Sequence, residues 1–283
     1  MELKLSCSDY TFPLLEHEHV LYLIAALGVQ GVDIGLFGGR SHLRPEMVLE
    51  NIPASARDLS NRVTEHGLEI ATIFLIPENL DFRSLATNNP NPSQRRKARD
   101  LFQRTLEFTA RCNARHISAG AGIGWEGETI SDSIRRDVDE LSWRVEQSRS
   151  LGITFAIEPH ANSLAATPVT TLHLVKEVAG LTLALDYSHF TLQGIPDRAV
   201  EPLLAFTSHF HARGANPNRL QAAMKDNSID YKNILKVLNT NGFTGYISLE
   251  YVWTEWEHCN EVDNLSETIL LRDHLRSIAD SLA

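Results

Sequence analysis

Ala156-Ile-Glu158-Pro-His160, Ala184-Leu-Asp186-Tyr-Ser-His189, His209-Phe-His211-Ala-Arg213 and Ile247-Ser-Leu-Glu250 are four short β-rich runs that end in carboxylate or imidazole side chains. A carboxylate at the end of an apolar strand is costly to desolvate unless something compensates its charge. Three of them in one place repel each other. One such Asp or Glu is commonly just a helix N-cap, and one such His commonly packs. Four on successive strands call for a shared cause. In a closed barrel of parallel strands the C-terminal ends converge on one mouth, and a divalent cation bound there removes the repulsion. The expected fold is therefore α/β, a single (β/α)8 TIM barrel over residues 1–283. Glu158, Asp186, His211 and Glu250 are the candidate ligands of one divalent ion. Their oxygen and nitrogen donors suit Mn²⁺ best, with Mg²⁺, Co²⁺ or Zn²⁺ as alternatives. His209 faces the same side of its strand as His211. It is expected deeper, as a packed residue.

Outward from these runs, short segments rich in β-formers alternate with longer helical patterns. The strand candidates are Leu3–Cys7, Gly31–Phe37, Glu69–Leu75, His116–Ala119, Thr154–Glu158, Thr182–Asp186, Ser208–Ala212 and Tyr246–Glu250, each of a length that fits a buried parallel strand. Between them, Ile134, Val138, Leu141 and Val145 form one apolar stripe, with Ser131 or Asp132 as a cap. Leu271, Leu275, Ile278 and Leu282 form another near the C-terminus, with Ser266 at its start. Tyr231, Ile234, Leu235 and Leu238 form a third, closed by Gly242 as a left-handed C-cap, as Gly28 closes the first helix. A doubly wound open sheet has the same periodicity, and only the four site residues favour the barrel. Thr87–Ser93 is polar and Pro-rich and reads as a mobile active-site loop or a plain surface loop. Gly120-Ala-Gly122-Ile-Gly124 reads as a tight turn, or as backbone N–H groups offered to an anion.

The chain is long enough for a barrel of ordinary size, about 250 residues being typical. With 36 acidic and 26 basic residues its net charge is −10. That argues against a non-specific nucleic-acid binder, which needs basic surface to neutralise phosphates. No apolar run is long enough to span a bilayer, so no membrane partner is expected. The N-terminus lacks a basic segment followed by an apolar one. Three cysteines without CxxC spacing suggest free thiols in a reducing compartment. The expected location is cytoplasmic, and a homo-oligomer is left open.

Together these residues resemble the sugar phosphate isomerase/epimerase superfamily of xylose isomerase-like barrels. Asp186-Tyr-Ser-His189 is similar to the family's Asp-x-x-His, and His211 to the His ending its seventh strand. Asp230-Tyr-Lys-Asn-Ile-Leu followed by Gly242-Phe-Thr-Gly245-Tyr-Ile-Ser-Leu-Glu250 is similar to its run into the last ligand. The resemblance implies a metal held at the four positions, with Glu158 and Glu250 also acting as the acid–base pair. It departs in places. The ketose 3-epimerases carry an Arg six residues after the seventh-strand His, where this chain has Pro217; Arg213 and Arg219 are the candidate substitutes. The endonuclease branch needs further His ligands from early strands, and Ala71–Pro77 has none.

The resemblance implies a divalent-metal-dependent isomerase or epimerase that abstracts a proton next to a carbonyl of a keto-sugar or polyol, by way of an enediolate. The first alternative is a lyase or dehydratase acting on a keto-inositol or keto-glycoside; a phosphodiesterase is remote. The partner expected is a small carbohydrate, met by His189, Arg213 and His160, and by Trp253, which with Trp256 can stack on a sugar ring or cover the rim.

Overall fold

The structure, a computed structural model, describes residues 3–39, 41–77 and 83–282. Eight parallel strands close into a barrel in sequence order: β1 (Leu5–Ser8), β2 (Gly31–Phe37), β3 (Glu69–Ile76), β4 (His116–Gly120), β5 (Thr154–Glu158), β6 (Thr182–Asp186), β7 (Thr207–Ala212) and β8 (Ile247–Leu249). This closure removes the open-sheet alternative. Each expected strand lies within two residues of the observed bounds. The largest difference is that β1 begins at Leu5; β8 stops one residue before Glu250.

Alternation along the strands sorts the side chains into two populations. Residues such as Ile34, Ile73, Ile117, Ile157, Leu185 and Leu249 point outward. They join Leu21, Leu59, Phe102, Leu141, Leu174, Leu235 and Leu271 from the surrounding helices in one buried cluster. Burying each contributes about 1.5–3 kcal/mol. Deep in the barrel, below the mouth, the inward population is largely polar. Ser6 donates to Asp33 Oδ1 at 2.8 Å. The His116 ring bonds Thr72 at 2.8 Å and Ser208 at 2.9 Å, and Ser208 meets Thr182 at 2.7 Å. A buried polar group is tolerated only when bonded, and these bonds run from strand to strand inside the barrel.

Two irregularities in the ladder aim this interior. The register of β2 on β3 shifts between Val32 and Asp33, and that of β6 on β7 between Leu183 and Ala184. Extra residues at such points bend a strand and re-aim its side chains. Asp33 and His209, directly after the shifts, face one another across the interior.

Several local expectations need correction. Thr129, not Ser131 or Asp132, caps helix Ile130–Ser150 by accepting from the Asp132 N–H. Asp263, not Ser266, accepts from the N–H groups at the start of helix Asn264–Leu282, at 3.1 and 3.3 Å. In both cases a better acceptor stood just upstream. Gly28 and Gly242 are left-handed, as expected of C-caps. The first part of Thr87–Ser93 is neither mobile-looking nor on the surface, because Thr87, Asn88 and Asn89 are buried. Thr87 donates to Asp137. Asn88 donates to the Ile123 carbonyl at 2.6 Å and accepts from the Ile123 N–H at 3.1 Å. The glycine-rich segment offers no free anion cradle at Gly122, whose N–H is taken by Asp137 at 3.0 Å. A Cβ there would stand 2.6 Å from Asn88. Cys7, Cys112 and Cys259 are free and buried. No helix among the described residues is long and apolar enough to cross a membrane.

Candidate metal centre

Because the strands are parallel and in order, the ends of β5 to β8 meet at one mouth. Glu158 and Asp186 are the last residues of β5 and β6, His211 is next to last in β7, and Glu250 follows β8. All four are buried. The register sets Asp186 beside His211 and Glu158 beside Gly120.

Glu158, His211 and Glu250 offer ligand atoms that all lie within 4.8 Å of one another. His211 Nδ1 is 2.5 Å from Glu158 Oε1 and 3.5 Å from Glu250 Oε2. Asp186 stands next to this trio, tied to it by Arg213. The guanidinium Nη2 contacts Asp186 Oδ2 and lies 2.6 Å from Glu250 Oε2, while Nε is 3.1 Å from Asp186 Oδ2. The other Asp186 oxygen accepts from the Ser188 N–H at 2.7 Å. The fourth expected ligand is thus at the centre but engaged with a cation of the chain's own.

Two residues of this centre had no signal in the sequence. Asp33 reaches it from β2. Its Oδ2 is 2.7 Å from His209 Nε2 and 3.5 Å from His211 Nε2. His209 does not merely pack, for it holds Asp33 and lies against the His116 ring, centroids 5.2 Å apart. Tyr10, in the turn after β1, donates to Glu250 Oε1 at 2.7 Å. A carboxylate in mid-strand that meets the opposite wall would be found from sequence only by treating inward-facing positions of the barrel as one layer.

Charge here follows the contacts. Burial works against the imidazolium of His211, but the Glu250 and Glu158 carboxylates outweigh it and hold its pKa well above the usual value. Burial likewise opposes ionisation of Glu158, yet His160 and His211 hold it well below the usual range. Asp186 is lowered because Arg213 and then His189 overcome burial. Glu250 differs, since burial, reinforced by Glu158 and Asp186, pushes it up in spite of Arg213 and His211.

The donor set fits a divalent ion. His211 Nε2 is buried and has no hydrogen-bond partner among the described residues. Its nearest charge is Asp33, while Nδ1 faces two carboxylates. A metal-bound imidazole commonly keeps its proton on the far nitrogen, directed at a carboxylate, and both faces of this ring are furnished for that state. Oxygen-rich sets with one imidazole suit hard to borderline cations.

A cavity of about 170 Å³ opens over the centre, lined by Glu158, Glu250, His160, His189, Arg213 and Trp253, together with Tyr10, Pro13, Phe37, Phe74, Ile76, Val252, Thr254 and Trp256. The four residues expected to meet substrate therefore share one space. His160 contacts Glu158 Oε2 and lies tilted against His189, centroids 4.1 Å apart. Arg219 does not share the cavity; it pairs at the surface with Glu261 at 2.9 Å. The loop bearing both tryptophans is pinned by Gln221, which donates to the Val252 and Cys259 carbonyls at 2.9 and 2.6 Å. A larger cavity of about 660 Å³ lies at the opposite pole, lined by the starts of the strands, and holds none of the candidate ligands.

Fold and site together define a (β/α)8 barrel with a candidate metal centre at its C-terminal mouth. The chain belongs to the xylose isomerase-like TIM barrel family, whose model matches residues 21–277. No curated protein sequence matches it. Among solved structures it is similar to an L-ribulose 3-epimerase, with a TM-score of 0.77 at 15% identity over 99% of this chain and 97% of that one. A D-psicose 3-epimerase from Clostridium cellulolyticum H10 gives 0.76 at 16% identity, over 98% and 99%. A 3-keto-D-glucoside 4-epimerase from E. coli gives 0.74 at 14% identity, over 98% and 100%. At these identities the likeness shows the fold.

Proposed function

We propose that the protein is a divalent-metal-dependent sugar isomerase or epimerase that moves a proton at a carbon next to a carbonyl of a keto-sugar or polyol. The observation that carries this reading is the placing of Glu158 and Glu250. They come from non-adjacent strands, line one cavity and both approach His211 Nδ1, at 2.5 and 3.5 Å. Glu158, Asp186, His211 and Glu250 would hold the ion, with Mn²⁺ first and Mg²⁺, Co²⁺ or Zn²⁺ as substitutes. Such an ion would draw electron density from a substrate carbonyl and ease loss of the neighbouring proton.

The chain's own groups divide the rest of the work. Glu158 and Glu250 would each ligate the ion through one oxygen, which leaves the other free to exchange a proton with substrate. One removes the proton and the other supplies one. Tyr10, neutral because burial and then Glu250 raise its pKa, orients Glu250 by its hydrogen bond. Arg213, His189 and His160 face the space where substrate hydroxyls and the developing oxyanion would sit. Trp253 and Trp256 close the rim, where rings stack well on a sugar.

The neighbours include epimerases of ribulose, psicose and a 3-keto-glucoside, and a substrate of that kind is consistent with the cavity. The test is a panel of free, phosphorylated and 3-keto sugars with added Mn²⁺, run in D₂O. Deuterium at the isomerised carbon, or a primary isotope effect with α-deuterated substrate, is expected. A converted substrate showing neither in single-turnover runs overturns the mechanism. Product mass separates the lyase, which loses water or a sugar fragment, from the isomerase, which conserves mass.

A further inference from the structure

We infer that the cavity at the pole opposite the metal centre is a binding site for a small organic anion with an aromatic or apolar body. Its volume, about 660 Å³, falls in the range of about 300–1,000 Å³ usual for small-molecule sites. It is far larger than the space of about 170 Å³ over the metal centre, and the proposed reaction makes no use of it. The starts of β3, β4, β5 and β7 and the residues leading into β8 form its wall.

The inner end of the cavity is polar and deeply buried. His116 and His209 are 8% and 1% exposed, and both line the cavity beside Ser208. The two nitrogens of His116 are taken by Thr72 and Ser208, at 2.8 and 2.9 Å. Burial, then His209, holds the His116 pKa well below the usual value, so that ring is neutral. His209 differs. Its Nε2 meets Asp33 Oδ2 at 2.7 Å, while its Nδ1 has no hydrogen-bond partner among the described residues. A buried polar atom rarely goes without a bond. An unpartnered imidazole nitrogen on a side chain that lines this cavity points to an occupant that bonds it.

A water could answer that nitrogen, but the outer part of the cavity asks for charge. Arg115 is the one guanidinium or ammonium group in the lining, and Glu69 the one carboxylate. Glu69 already accepts from the Tyr246 hydroxyl at 2.7 Å. The Arg115 side chain has no hydrogen-bond or ion-pair partner among the described residues, in a chain with 36 acidic residues to 26 basic ones. Its planar fork fits a carboxylate or a phosphate. In the closed order of strands β4 and β8 lie across the barrel from each other. Phe243, just ahead of β8, therefore stands on the wall opposite Arg115, and Val63, Leu68 and Leu204 add apolar surface. An anion on Arg115 and a ring against Phe243 span the space. A molecule seated there lies against His209, and so one hydrogen-bonded pair, His209 and Asp33, from the His211 ring.

This site needs neither the ion nor the reaction proposed for the mouth, and either reading can fail alone. The experiment is a titration of the full chain, its histidines labelled with ¹⁵N, with phenyl phosphate, benzoate and neutral benzamide, followed by ¹H–¹⁵N spectra of the rings. The anions should shift the His116 and His209 signals saturably, with Kd on the order of 1 mM or tighter. The tighter of the two anions tells a phosphate ester from a carboxylate as the natural ligand. Benzamide should bind at least about tenfold more weakly. Arg115→Ala, at an exposed position, should erase that preference. Ala205→Trp, also exposed and part of the lining, should fill the cavity and abolish binding of the anions. Four results overturn the site: no saturable shift at either ring, shifts confined to exposed histidines such as His173, benzamide binding as well as the anions, or anion binding unchanged in both variants with normal melting.

Discussion

The two sides of the barrel mouth are made of different material. The strands β5 to β8 supply Glu158, Asp186, His211, Arg213 and Glu250, a wall of charge. The side formed by β2, β3 and the turn after β1 supplies Phe37, Phe74, Ile76 and Tyr10, a small apolar cluster separate from the main core. Its rings meet at 4.7 to 6.3 Å. Phe74 also lies 5.7 Å from the His211 ring. One side can hold ions and move protons; the other offers low dielectric, which strengthens the charges opposite. Asp33 is the exception, a carboxylate from the apolar side that reaches the charged one below the surface of the mouth.

The largest effect should come from the charged side. Glu158→Gln and Glu250→Gln each keep an oxygen donor and lose a base, so each should retain most of its metal and lose about 10²–10⁴-fold in turnover. Full activity in either variant would remove that side's claim to the chemistry. Asp33→Asn tests the exception. If Asp33 orients His211, metal affinity should fall by about 10–100-fold, read by calorimetry with near-normal melting. An unchanged Kd would return Asp33 to the role of a core hydrogen-bond partner.

A third expectation concerns protons. Burial raises Glu250, and neighbouring carboxylates raise His211 against burial. Both therefore bind protons more tightly in the metal-free chain than they would in solution, and a bound ion must displace those protons. Affinity should strengthen as pH rises and weaken as pH falls, with proton release seen as a dependence of binding heat on the buffer's ionisation enthalpy. Heat independent of buffer would mean that the two groups are already unprotonated. The smallest effect belongs to the apolar side. Phe74→Leu should cost about 1 kcal/mol of stability and shift KM, with Kd for the metal unmoved. A lost metal would show that the two sides are not separable.

The sequence displayed the charged side far better than the apolar one. Glu158, Asp186 and Glu250 interrupt apolar runs at the ends of three different strands, and that recurrence is more than single helix caps explain. Phe37, Phe74 and Ile76 sit in strands where apolar residues are the rule, so nothing distinguishes those that face the mouth from those that face the helices. Asp33 was hidden for a similar reason, because its partner His209 is far away in the chain and the pairing depends on two ladder shifts that no periodicity reveals. The buried stretch Thr87–Asn89 misled because Asn and Pro favour turns locally, while Asp137 and the Ile123 backbone, which satisfy its polar groups, come from elsewhere.

The guanidinium of Arg213 between Asp186 and Glu250 gives the centre a tenant of its own. If the proposed ion binds here, a site whose carboxylates are already partly neutralised need not collapse when that ion leaves, and loading would be an exchange of one cation for another inside a standing frame. Metal scarcity would idle such a protein without consigning it to proteolysis.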